Sequence, residues 1–368
     1  VGNIGDRGIF LGITDEGWWL FGIDVTSGER LFAPVQLGRA GDATDFDCYV
    51  NGPPLVLCVR QAADLSMPST AWVVDTSSGR LTYDGPTDLR VARARELPRL
   101  EQVGDYAIAE VAGKGVRGVG PRGELTWFVP GDGSLSSQFT RSDRDETPST
   151  IAVQGGAGSS DVVFSVVDGT VVTPQEPRDV DFGQAVVYPG GFGFEYTARG
   201  DATERVAFYD SAGKMLSQPS DGGRLATRSL DLPMVESKAK TVVLSINGQQ
   251  LLELPPSVPS PEARLIGTSF YIATDDDHRV WQQFDLRTGE AGKACDGEEL
   301  GPYYLASDGD VIIAVGEGSP ARGIDPGTCE TLWAMPEAAP NEATEVFKVN
   351  TTLVQRTNDR LFALVSPR

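Results

Sequence analysis

The chain has 368 residues, a formal net charge of −21 and a single histidine. Such an acidic balance excludes binding to a phosphate backbone, which needs basic patches, and disfavours an anionic membrane surface as the direct contact. The charge reads instead as a solvated surface that keeps the protein monomeric.

Taken in chain order, one phrase recurs. It is FGIDVTSGERLF at 21–32 and WVVDTSSGRLTY at 72–83. Weaker forms follow at VGPRGELTWFV (119–129) and VVDGTVV (166–172), then AFYDSAGKML (207–216) and SINGQQLLEL (245–254). QFDLRTGEA (283–291) and RGIDPGTCETLW (322–333) complete the series. The strong copies place an apolar run, an Asp, three residues, a Gly and a second β-prone run in that order. Asp24, Asp75 and Asp285 are set to cap a turn with their carboxylates, and Gly28, Gly79 and Gly289 to take the positive φ where the chain reverses. The spacing, roughly 35–50 residues, is that of four-stranded propeller blades.

The expectation is an all-β fold: one closed β-propeller over 1–368 with four-stranded antiparallel blades. Blade phrases fall near 8–36, 46–86, 104–130, 150–173, 184–218, 232–255, 264–292 and 303–335. The units at 150–173 and 232–255 are poor, so seven blades are expected, with eight the alternative. TTLVQRTNDRLFALV (351–365) reads as a terminal strand pair completing a blade begun by the first residues, which removes exposed sheet edges. The one helical candidate, LRVARARELPRLEQV (89–103), is interrupted by Pro98 and reads as a linker turn. The stretches 136–150, 253–263 and 335–345 read as loops.

Four cysteines are present. Cys48 and Cys58 face each other if Asn51–Pro54 makes a hairpin turn. Cys295 and Cys329 follow the turn units of consecutive blades. The pairing 48–58 and 295–329 is expected among three connectivities, and it implies an oxidising compartment. Buried thiols in a cytosolic protein are the alternative. No run of about 18 apolar residues is present to span a membrane. The chain reads as a periplasmic ectodomain whose signal or anchor segment lies outside it.

Residues for chemistry are few. Nucleophilic catalysis with a histidine base has only His278, and no G-x-S-x-G elbow exists. Asp275, Asp276 and Asp277 precede His278 without the alternate spacing of a calcium loop, so they read as a solvated hairpin tip and no metal is expected. No enzyme activity and no cofactor are expected. A hydrolase or lyase using two of the 52 acidic residues stays open. Aromatic residues offer the ligand-binding candidates. Trp18 and Trp19 are neighbours in a strand, so one should be buried and the other exposed. Phe192, Phe194 and Tyr196 share one strand face framed by glycines, and Tyr303 and Tyr304 form a further pair. Packing between blades accounts for such residues; an apolar cleft for a lipid or a partner side chain is the alternative.

The Asp-x-x-x-Gly phrase resembles the PQQ-like repeat of bacterial propellers, and Trp333 supplies the repeat's late tryptophan. Quinone-dependent dehydrogenases share the repeat but carry adjacent cysteines that this chain lacks, so quinone binding is not implied. In chain style the sequence resembles the periplasmic domain of the mycobacterial polar growth factor family. That resemblance implies a non-enzymatic binding propeller that assists trehalose monomycolate transport by docking an MmpL-type exporter. A pure protein–protein scaffold is the alternative.

Overall fold

The computed structural model describes residues 3–4, 7–39, 45–92, 96–135, 149–156, 158, 160–219, 222–227, 229, 231–256, 262–274, 280–296, 304–315, 321–336, 344–349, 352–357 and 360–364. Their strands form nine antiparallel sheets in chain order, and each strand pairs with its sequence neighbour. These are blades 1 to 9, spanning 3–38, 46–87, 99–130, 151–165, 180–217, 224–254, 263–296, 304–334 and 344–364. Seven are four-stranded, blade 4 has two strands and blade 9 has three. The all-β propeller is as expected; seven blades are not. The weak units of blades 4 and 6 are separate sheets, and the tail belongs to a sheet of its own. Its first strand, Thr344–Val349, includes residues read as loop from the sequence.

Middle strands are the most buried, and several fourth strands are exposed. Leu55–Arg60 of blade 2 is almost wholly buried, whereas Thr331–Ala334 of blade 8 is exposed at every position. A sheet buried on both faces needs neighbours on both sides, and apolar clusters fill the seams. Cys48, Phe32 and Trp72 join blades 1 and 2; Val186 and Leu225 join blades 5 and 6; Met234 and Phe270 join blades 6 and 7. The ring closes through Val25, Val349 and Val354, with Phe10 and Phe347 5.9 Å apart. Closure is therefore by packing of blade 9 on blade 1. The first strand, Asn3–Ile4, pairs within blade 1, not with the tail as expected.

Seven of the eight phrases occupy one place, the turn between the third and fourth strands of a four-stranded blade, and the eighth follows the last strand of blade 4. The Asp accepts the following backbone N–H groups, as Asp24 Oδ1 does from Thr26 (2.9 Å) and Ser27 (3.0 Å). Its carbonyl accepts from the residue four later: Gly28, Gly79 and Gly289 each donate at 2.8 Å. Hydrogen bonds from the Ser77 hydroxyl and N–H hold the Asp75 carboxyl below the usual range, and the Thr26 hydroxyl and turn N–H groups do the same for Asp24.

The turns also fasten the ring. The residue four beyond the turn glycine lies on the fourth strand or just before it, and in several seams it receives the turn of the next blade. Phe32 lies over Gly22 of its own blade and beneath Gly79 of the next, where an added Cβ would come 2.5 Å from the Phe32 Cβ. Trp127 lies between Gly118 and Gly169 in the same way, and its Nε1 donates to the Val167 carbonyl at 3.3 Å. Thr173 meets Gly213, and Ser217 meets Gly248. Blade 7 departs from this: nothing lies within 4 Å of a Cβ on Gly289. There the fourth-strand residue Leu252 is 4% exposed and turned into the core. Blade 8 replaces the glycine with Cys329 at φ 58°, and its sulfur is bonded to Cys295 on the fourth strand of blade 7. Cys48 and Cys58 are directly opposed within blade 2, their Cα atoms 4.0 Å apart. Both expected pairings are formed.

Two glycines separate the seam contact from backbone preference. Gly169 and Gly28 both have φ 74°, yet a Cβ on Gly169 would come 2.5 Å from the Trp127 ring and one on Gly28 would meet nothing within 4 Å. Alanine at either position costs about 1–2 kcal/mol for the left-handed backbone. Gly169→Ala adds an overpacking cost of about 1–3 kcal/mol. Urea denaturation of both variants should show the larger loss at Gly169; equal losses would remove the seam contact as its cause.

Candidate functional site

The aromatic candidates do not converge on one cleft. Phe192, Phe194 and Tyr196 do share a face, but they are 0, 3 and 3% exposed. Phe192 stacks on Tyr209 at 5.2 Å and Phe194 packs on Phe182 at 5.0 Å, within a cluster running through blades 3, 4 and 5. The glycines beside them admit backbone and rings of the same chain: Gly191 sits against the Tyr209 carbonyl and Gly193 against Phe208. Trp18 and Trp19 are both half-buried, not one buried and one exposed. Trp18 stacks on Phe46 at 4.8 Å across the first seam, and Trp19 Nε1 donates to Thr14 Oγ1 at 3.1 Å. Tyr304 is 8% exposed and lies under the Arg264 guanidinium at 4.7 Å. Tyr303, Asp275, Asp276, Asp277 and His278 lie outside the described residues. Among the described residues no cluster of three metal-ligating side chains occurs.

A set of acceptors that the sequence reading missed ties blades together. Glu110 Oε1 accepts from Leu135 N at 2.8 Å, Asp161 Oδ2 from Ala185 N at 2.8 Å, and Glu195 Oε1 from Leu225 N at 2.7 Å. Asp231 Oδ2 accepts from Leu265 N at 2.7 Å, and Gln61 Oε1 from Val91 N at 3.0 Å. Each acceptor sits on one blade and each N–H on the next blade or the segment leading into it. Burial pushes the Asp161 carboxyl above the usual range, aided by Asp132. Burial does the same to Glu195, opposed by its hydrogen bond and Arg224 and reinforced by Glu204 and Asp161. A raised carboxyl is what a general acid needs. Here one oxygen of each is committed to a backbone N–H, so these groups act first as seam ties. The available signal was a lone acid inside an apolar strand, as in YAIAEV and GFGFEYTA.

The outer rim offers a different surface. Trp333 lies over Gly323 of its own blade, as Trp127 lies over Gly118. No described turn of blade 9 covers it, and it is 40% exposed. Leu332 beside it is 53% exposed and Phe362, on the third strand of blade 9, is 45% exposed. All three are exposed apolar side chains of blades 8 and 9.

Residues 1–367 match the family model described as the conjugation-associated nine-bladed β-propeller domain. An uncharacterized protein of Mycolicibacterium smegmatis (strain MKD8) is 37% identical over 386 aligned residues, covering 100% of this chain and 78% of that protein. Among solved structures, BamB from Moraxella catarrhalis is 12% identical with a TM-score of 0.37, covering 75% of this chain and 84% of its own. A structure described as the eukaryotic initiation factor is 12% identical with a TM-score of 0.49, covering 96% and 90%.

The Glu195 tie has a pH signature. Its folded carboxyl binds a proton more readily than the unfolded one, so its contribution to stability is full at low pH and declines as pH rises through the folded value. Glu195→Gln keeps an oxygen for Leu225 N and removes the ionisation. Thermal melts should find the variant close to wild type near pH 4.5 and gaining on it as pH rises to 7.5. A variant that instead loses ground with rising pH would show that the ionised carboxylate stabilises the seam.

Proposed function

Because the chain belongs to the family of conjugation-associated nine-bladed β-propeller domains, we propose that it is a non-enzymatic scaffold. It binds another protein of the cell envelope through the outer rim of blades 8 and 9. The observation that carries this is the exposed set Leu332, Trp333 and Phe362, in a ring where two late aromatics of other blades, Phe32 and Trp127, are covered by the next blade. Apolar side chains gathered on a rigid rim suit a protein partner. The two disulfides support an oxidising, extracytoplasmic setting.

A role in trehalose monomycolate transport beside an MmpL-type exporter has weaker support. Three of its lipid-lining candidates, Phe192, Phe194 and Tyr196, are spent in blade packing. The buried acids Glu110, Asp161 and Glu195 likewise serve seams, which leaves a carboxylate hydrolase or lyase without a free pair among them.

Disrupting the gene in a conjugating donor should lower transfer frequency, and the paired substitutions Trp333→Ser and Phe362→Ser should reproduce the loss. Leu81→Ser, at an exposed fourth-strand position of blade 2, should not. Undiminished transfer after gene disruption would overturn the conjugation reading. A glycolipid that co-purifies in native mass spectrometry would restore the transport reading.

A further inference from the structure

The chain holds two Asn-Gly steps, Asn51–Gly52 and Asn247–Gly248, and the fold treats them in opposite ways. An asparagine followed by glycine is the one most prone to lose its side-chain amide. The glycine nitrogen, unshielded by a side chain, can reach the amide carbon and close a five-membered ring. What decides the outcome in a folded protein is how firmly the two groups are held apart.

Asn51 is 6% exposed. Its Nδ2 donates to the carbonyls of Val119 (3.3 Å) and Gly120 (3.1 Å), across the seam to blade 3. Gly52 N, the nucleophile, donates to the Asp105 carbonyl of blade 3 at 2.8 Å. Reaction there must free both the leaving group and the nucleophile from a neighbouring blade. Asn247 is exposed, in the blade 6 turn between Thr241–Leu244 and Gln250–Leu254. No hydrogen bond to a described residue engages its side-chain amide. Gly248 N donates to the Ser245 carbonyl at 2.8 Å, within the same turn. Opening that one turn suffices to start the reaction.

The other side of the turn is tightly packed. A Cβ on Gly248 would come 2.6 Å from the Ser217 Cβ on the last strand of blade 5, and Ser217 Oγ donates to the Ile246 carbonyl at 3.3 Å. A change in the main chain at Asn247 therefore acts on the seam between blades 5 and 6.

We infer that Asn247 is a self-modification site. The Gly248 nitrogen bonds to Asn247 Cγ and the Cγ–Nδ2 bond breaks. Ammonia leaves carrying the proton from the Gly248 N–H, and a succinimide remains. Water then adds to one ring carbonyl. Attack at Cγ gives aspartate. Attack at the backbone carbonyl gives isoaspartate, whose main chain runs through Cβ and Cγ. Water is consumed, and nothing is oxidised or reduced. The seam distinguishes the products. Aspartate fits, because blade 4 already carries Asp168 directly before its turn glycine, with Oδ1 accepting from Thr170 N at 3.0 Å. Isoaspartate lengthens the main chain beside Gly248 and drives the turn against Ser217.

The folded protein is aged near neutral pH at body temperature, digested with trypsin and followed by mass spectrometry. Peptide 241–264 carries Asn247, and peptide 40–60 carries Asn51. Peptide 241–264 should gain the mass of NH exchanged for O and split into two chromatographic species. Peptide 40–60 should convert at least about tenfold more slowly, because exposed turns open far more often than buried seams. In urea the two should convert at similar rates. Tm should fall as isoaspartate accumulates. Asn247→Asp should keep the Tm of fresh wild type, Asn247→Gln should not age, and Ser217→Gly should narrow the gap between fresh and aged protein. Equal rates in the folded protein overturn the inference. So does an Asn247 unchanged over the time in which the urea-unfolded chain converts. A Tm in Asn247→Asp as low as that of aged protein, or no fall as isoaspartate accumulates, overturns the effect on the seam.

Discussion

The constraint on which the molecule depends is that no blade can hide its own apolar faces. A four-stranded sheet with buried side chains on both surfaces is stable only between neighbours, and those neighbours only within a closed ring. The chain meets this with one local device used repeatedly. In several seams a short turn, held by a backbone carbonyl and in most copies by an Asp carboxylate, is pressed onto the last strand of the blade before it. Turn chemistry and ring closure are thus one piece of physics: the residue that lets the chain reverse is also the one small enough to sit on a neighbour's side chain.

The carboxylates divide into two populations with opposite behaviour. Those of the turns, such as Asp24, Asp75, Asp285 and Asp325, are half-buried at the surface and held low by hydrogen bonds, so their contribution is present above the ordinary carboxyl range and fades as acid is added. Asp161 and Glu195 are buried and pushed high, so theirs fades in the other direction. One set secures each blade's own hairpin and the other bridges between blades. Falling pH therefore removes the turns' contribution and keeps that of the bridges, and rising pH does the reverse.

Much of the fold was legible because the repeated phrase is a physical requirement of each turn. Asp24, Asp75 and Asp285 sit where the phrase placed them, and the two disulfides follow from residues that the repeat brings side by side. The blade number was misjudged because phrase count and blade count differ. Blade 9 carries no phrase among its described residues, and its strand Thr344–Val349 lies partly in a stretch rich in Glu, Ala and Pro. Period-two spacing showed that Phe192, Phe194 and Tyr196 share a face; it carries no information on whether that face meets solvent or blade 4. The bridging role of Glu195 was illegible for a similar reason. A lone acid in an apolar strand announces that it needs a partner, but the partner is a backbone group of the next blade, which has no sequence signature.

The covalent link between Cys295 and Cys329 sets an asymmetry in how the annulus bears load. It locks blade 8 to blade 7 four residues before Trp333, so the indole stands on a strand that cannot drift from the body of the ring. On the far side of that indole, blade 9 meets blade 1 through the packing of Val25, Val349 and Val354. A tensile or torsional force on the ring would spare the riveted seam of blades 7 and 8 and fall on seams held by packing, that of blades 9 and 1 among them.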